Sequence, residues 1–141
     1  CVRLTMPDFD KAANAFEQNN VDYFYPYDDP IEQRFLRIFA AHKIGNISND
    51  KLKNDFNSMS KEKFADDYIS DVDLSMVKKF GHSIHVNWWN FNKAKFFLEN
   101  AGFKEIFQSE PNKSKFTEFQ DKTIFDHRHP KLSMYVEAIK K

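Results

Sequence analysis

The 141 residues suit one domain, and 21 Lys plus Arg balance 21 Asp plus Glu. A net charge of zero supplies no field toward nucleic acid or an anionic membrane, and no apolar run is long enough to span a bilayer. The three glycines, Gly45, Gly81 and Gly102, stand too far apart for a phosphate or cofactor cradle, which needs several within a few residues.

The chain opens on Cys1, its one cysteine, which excludes an internal disulfide and fits a cytoplasmic protein. It starts in a strand-like segment without Met, so a cut or incomplete start is expected, and no signal peptide is visible. Val2-Arg-Leu-Thr-Met6 alternates apolar and polar residues, a strand pattern that Pro7 ends. Asp8 or Asp10 then caps a short helix with an apolar stripe of Phe9, Ala12, Ala13 and Phe16, closed by Asn19-Asn20. Tyr23-Phe-Tyr-Pro-Tyr27 reads as an aromatic loop. Asp29-Pro-Ile-Glu32 reads as a capping box for a helix that buries Ile31, Phe35, Ile38 and Phe39 and ends at Gly45. Ser48 and Ser60 start two more helices, carrying Leu52/Phe56 and Phe64/Tyr68. Sixteen Phe, five Tyr and two Trp supply the bulk of a core.

The last third begins with Asn87 or Asn90 capping a helix with the apolar face Phe91, Ala94, Phe97, Leu98 and Ala101, closed by Gly102. A strand over 104–108, a polar connection over 109–130 and a strand over 132–139 follow. In that final strand Leu132, Met134, Val136 and Ala138 share one face, and Tyr135, Glu137 and Ile139 share the other. A helix between two strands predicts a parallel crossover, and two strands joined without one predict an antiparallel pair. The expected fold is α/β, with a small mixed sheet of about three strands, an antiparallel final strand and a helical insertion over about 23–79. The whole is one partial domain over 1–141.

Val2-Arg-Leu-Thr-Met-Pro-Asp-Phe9 resembles the fifth strand of class I S-adenosylmethionine-dependent methyltransferases, an apolar strand ending in Pro-Asp before a short helix. Gly81-His-Ser-Ile-His-Val-Asn-Trp-Trp-Asn-Phe91, followed by Phe97-Leu-Glu-Asn-Ala-Gly-Phe103, looks like their late helix. Phe125-Asp-His-Arg-His-Pro-Lys-Leu-Ser-Met-Tyr-Val-Glu-Ala-Ile-Lys140 is similar to the terminal strand of a bacterial subgroup that often accompanies surface-saccharide genes. Its Ser133-Met-Tyr-Val-Glu-Ala138 is the sharpest match. The resemblance implies the C-terminal half of a Rossmann-like methyltransferase fold, without the first four strands, the glycine loop and the acidic residue that holds the cofactor ribose. It implies that S-adenosylmethionine serves the complete protein, in which the acceptor attacks the cofactor's methyl group by direct displacement and S-adenosylhomocysteine leaves. This chain alone is expected to bind no cofactor and to be inactive. The acceptor it implies is a small molecule or saccharide.

In such an enzyme ligands lie at the carboxyl ends of parallel strands. Three segments of this sequence would face that side: the turn at Pro7-Asp8, the helical insertion with its lead into the late helix (His82, His85 and Trp88), and the loop before the last strand (Asp126, His127, Arg128 and His129). Asp8 is a candidate catalytic group or a helix cap. His82 and His85 are candidate general bases or loop histidines satisfied by backbone. Trp88 and Trp89 line a sugar or aromatic pocket, with Trp88 the candidate substrate residue, or else pack in the core and over the helix start. Tyr25, His127, Arg128 and His129 complete the candidate substrate set. His82-x-x-His85 with His127-x-His129 admits a zinc reading, but no carboxylate or cysteine stands at matching spacing. Asp126-His-Arg-His129 resembles pieces of a hydrolase site without a serine elbow, and a solvated loop is its other reading. The cluster at Tyr23–Tyr27 stacks on a base or sugar, or packs on the insertion helices. The alternative to the enzyme reading is a non-catalytic α/β interaction module. Its exposed first strand would pair with a protein partner or form a homodimer.

Overall fold

The computed structural model describes residues 1–26, 28–81, 85–121, 123–125 and 129–140. His82, His127 and Arg128, together with Tyr27 and Asp126, lie outside the described residues. The chain divides into two compact units, one of Cys1–Phe9 with Trp89–Lys141 and one of Asp10–Trp88. The second contains the whole span 23–79.

The first unit holds strands β1 (Val2–Pro7), β2 (Glu105–Ser109) and β3 (Ser133–Ile139), in the order β1-β3-β2. β3 runs antiparallel to both neighbours, with Val2 opposite Ala138, Pro7 opposite Ser133 and Ser109 opposite Tyr135. The expectation of a mixed sheet is corrected: every adjacent pair is antiparallel. β1 and β2 do run in one direction, as a helical crossover requires, but β3 inserts between them and takes both inner edges. Helix α6 (Phe91–Asn100) crosses from β1 to β2 on one face, where Ala94 and Leu98 pack against Met134, Val136 and Ala138. Asn90 caps it by accepting from the Lys93 N–H at 2.9 Å. Gly102 follows in the left-handed region, φ 86°, which closes the helix end. β3 is buried on both faces from Ser133 to Ala138.

The second unit is helical: α1 (Phe9–Glu17, whose first residue belongs to the sheet unit), α2 (Ile31–Phe39), α3 (Asn49–Ser58), α4 (Lys61–Tyr68) and α5 (Leu74–Phe80). Its core is aromatic. Phe16 meets Phe35 at 5.3 Å and Phe56 at 4.8 Å, and Phe64 meets Phe56 at 5.1 Å. These are tilted or edge-on arrangements, in which each ring's positive edge meets another's negative face. Ser48 and Ser60 cap α3 and α4 through the Lys51 and Lys63 N–H groups. The capping box at Asp29 does not form. Pro30 takes the cap position with no side-chain bond, its carbonyl accepts from Gln33 and Arg34, and the Asp29 carboxylate pairs instead with Arg37 at 2.7 Å. Gly45 does not end α2 either. The helix stops at Phe39, a turn of 3-10 helix covers Ala41–Lys43, and Gly45 serves the following turn at φ 75°. α5, capped by Asp73, has no counterpart among the expected helices.

Candidate functional site

At the carboxyl end of β1 three segments of the sheet unit meet. The Asp8 N–H donates to the Leu132 carbonyl at 2.9 Å, and the Phe9 N–H to the Trp89 carbonyl at 3.0 Å. The turn after β1, the lead into α6 and the loop before β3 therefore converge. Asp8 stands directly before α1, at the cap position, and is 4% exposed. His129 is exposed and adopts φ 51°, a left-handed conformation that an L-residue reaches at some cost. Its carbonyl accepts from the Leu132 N–H at 3.0 Å and the Ser133 hydroxyl at 2.9 Å, which holds the turn. A buried carboxylate and an exposed imidazole thus border the same end of the sheet through Leu132.

Along the outer side of β1 lies an apolar groove of about 350 Å³, lined by Leu4, Thr5, Met6, Trp89, Ala94, Phe97 and Leu98. Trp89, rather than Trp88, forms its wall. The Trp89 ring meets Phe97 edge-on at 5.6 Å and receives the Lys93 ammonium at 5.7 Å.

The opposite face of the sheet carries a buried ion pair. Arg3 from β1 bonds Glu137 from β3, and the side chains are 2% and 0% exposed. Ser109 from β2 donates to the same carboxylate at 3.0 Å, the Lys115 N–H reaches its second oxygen at 3.2 Å, and Arg3 also binds the Glu110 carbonyl at 2.9 Å. The Arg3 guanidinium lies 4.9 Å from the Tyr135 ring centroid. One carboxylate thereby ties all three strands and the start of the long loop. That loop is fastened further by the Gln120 amide on the Ser114 carbonyl at 2.8 Å and by edge contacts among Phe116, Phe119 and Phe125. Its exposed carboxylates, Glu110 and Asp121, are held below the usual range by bonds from Lys113 and Thr123 respectively.

The remaining candidates among the described residues, Trp88, Tyr25 and His85, fall in the helical unit. Trp88 is 6% exposed, and its indole N–H donates to Asp66 at 2.7 Å. The Tyr25 carbonyl lies 3.4 Å from the Arg34 guanidinium. His85 is exposed, with its ring 6.5 Å from that of Phe39. Sequence reading passed over His42. Its side chain is 4% exposed, its Nε2 meets Asp71 at 3.1 Å, and Lys43 binds the other Asp71 oxygen. No spacing signals a pair whose members lie 29 residues apart. Among the described residues no group of three His, Cys, Asp or Glu gathers to hold a metal. No described helix is long and apolar enough to cross a membrane.

Gly81 and Gly102 sit at helix ends, Gly45 in a turn, and none lies between a strand and the helix that follows it. No family model matches the chain, and no curated protein and no solved structure matches it.

Proposed function

We propose that this chain is the C-terminal, substrate-side portion of a class I S-adenosylmethionine-dependent methyltransferase acting on a small molecule or saccharide. The observation that carries the reading is the meeting of three segments at the carboxyl end of β1. The Asp8 and Phe9 N–H groups bind the Leu132 and Trp89 carbonyls there, and in the complete fold of this reading β1 would be one of the parallel strands at whose carboxyl ends ligands gather. The antiparallel final strand and the single-direction pair β1 and β2 accord with it. In this reading Asp8 and His129 border the acceptor, and the cofactor is held by sequence other than these residues. The test is calorimetric titration with S-adenosylmethionine of this chain beside a protein extended upstream. Silence from the short chain and binding by the extended one is expected. Silence from both sinks the reading, and tight binding by the short chain overturns the glycine argument. A second reading, an α/β interaction module, is supported by the position of β1 at the margin of the sheet.

A further inference from the structure

We infer that Asp10–Trp88 is an inserted domain that folds as a cooperative unit of its own, within a strand–helix–strand unit that would close without it. β1 ends at Pro7 and α6 begins at Phe91. The Phe9 N–H donates to the Trp89 carbonyl at 3.0 Å, so the two ends of the interruption are already joined inside the sheet unit. Without the insert, Asp8, Phe9, Trp89 and Asn90 would be the whole connection from β1 to α6. Strand-to-helix loops of α/β units ordinarily run to about 2–6 residues, a range that this connection meets. Asn90 already caps α6 through the Lys93 N–H, so the shortened connection would keep its helix start. Both junctions lie inside the chain and stand whatever precedes Cys1.

The insert holds both of its own ends. At the first, Phe16 of α1 packs on Phe35 at 5.3 Å and on Phe56 at 4.8 Å. Phe35 meets Phe64 at 5.9 Å, and Phe64 stacks on Tyr68 at 4.4 Å, so one series of rings joins α1 to α4. At the second, the Trp88 indole N–H donates to Asp66 of α4 at 2.7 Å, and the Ser70 hydroxyl donates to the Asn87 side chain at 3.3 Å.

The sheet unit has a different core. Ala94, Leu98, Met134, Val136 and Ala138 form its buried cluster, and the partly buried residues packed against that cluster belong to the same unit. Neither core borrows a member from the other. The insert has the length of an ordinary domain, and neighbouring chain ends are what allow one domain to be inserted into another. Each core amide should then exchange through the opening of its own unit.

Hydrogen exchange of the intact chain, read peptide by peptide, is the test. Leu52→Ala removes a fully buried side chain of α3. It should speed exchange in α2, α3 and α4 by about tenfold or more and leave α6 and β3 unchanged. Val136→Ala, fully buried in β3, should speed exchange in α6 and the strands and leave the helical unit unchanged. Where either substitution unfolds its own unit outright, the other unit should keep its protection. A substitution in one core that speeds exchange in the other unit as well overturns the inference, because a single shared transition would then govern the chain. So does a substitution that leaves the exchange of its own unit unchanged.

Discussion

Glu137 is fully buried, and its charge is tolerable there because Arg3, the Ser109 hydroxyl and the Lys115 N–H all face it. Removing one partner of a buried pair leaves the other charge desolvated, at a cost of about 3–5 kcal/mol. Replacing both partners with neutral groups avoids that penalty. Glu137→Gln keeps the shape and a carbonyl for Lys115 but strands the Arg3 guanidinium, so it should lose about 3 kcal/mol of stability. Adding Arg3→Met should return much of that loss. Urea unfolding of the single and double variants checks this, and a double variant no more stable than Glu137→Gln alone rules it out. The same carboxylate fastens the loop over 110–125, so Glu137→Gln should also speed proteolysis there.

The helices owe their starts to single side chains. Ser48, Ser60 and Asn90 each accept a backbone N–H three residues on, which satisfies a donor that the helix itself cannot. Alanine at Ser48 or Ser60 should cost about 1 kcal/mol each. Asp29→Ala serves as the contrast, since its carboxylate caps nothing and loses only a partly exposed ion pair with Arg37, worth less than about 1 kcal/mol. Equal losses at Asp29 and Ser48, read from thermal melts, would restore the capping box at Asp29. These starts were legible because a cap is a local device: the Ser and the N–H it binds are three positions apart. The alternation in β1 and β3 and the stripe of Phe9, Ala12, Ala13 and Phe16 were legible for the same reason, and all four stripe residues are buried. Strand order was not legible, because the pairing that sets β3 beside β1 joins residues more than a hundred positions apart. Nor was the role of Arg3, whose partners Ser109 and Glu137 lie 106 and 134 positions away. At the candidate site the sequence named Asp8 and His129. It could not show that Leu132 joins them, or that Trp89 would line the groove while Trp88 bonds Asp66.

Across the molecule, groups whose pKa differs between the folded and unfolded states make stability depend on pH. Bonds from Lys51 and Tyr68 hold the Asp55 carboxyl below its usual range, the Ser75 hydroxyl and the Met76 N–H do so for Asp73, and Glu110 and Asp121 are lowered likewise. A carboxyl depressed in the folded state contributes stability above its unfolded value, and that contribution is lost as pH falls through the folded one. The acid limb should therefore begin near about pH 4, where free carboxyls titrate. Tyr68 works at the other end. Burial first, then the 2.5 Å hydrogen bond it donates to Asp55 and the charges of Asp55 and Asp67, push its phenol above the usual range. A raised phenol contributes fully below its unfolded value, about pH 10, and progressively less as pH rises toward the folded one. Tyr68→Phe should cost about 1 kcal/mol at neutral pH through the lost hydrogen bond. Above about pH 10 the gap between the two proteins should close, since only the wild type has a phenol at position 68 that the unfolded chain can ionise. Urea midpoints of both proteins from acid to alkaline pH measure this. Parallel alkaline limbs would mean that the Tyr68–Asp55 bond does not govern that flank of the stability curve.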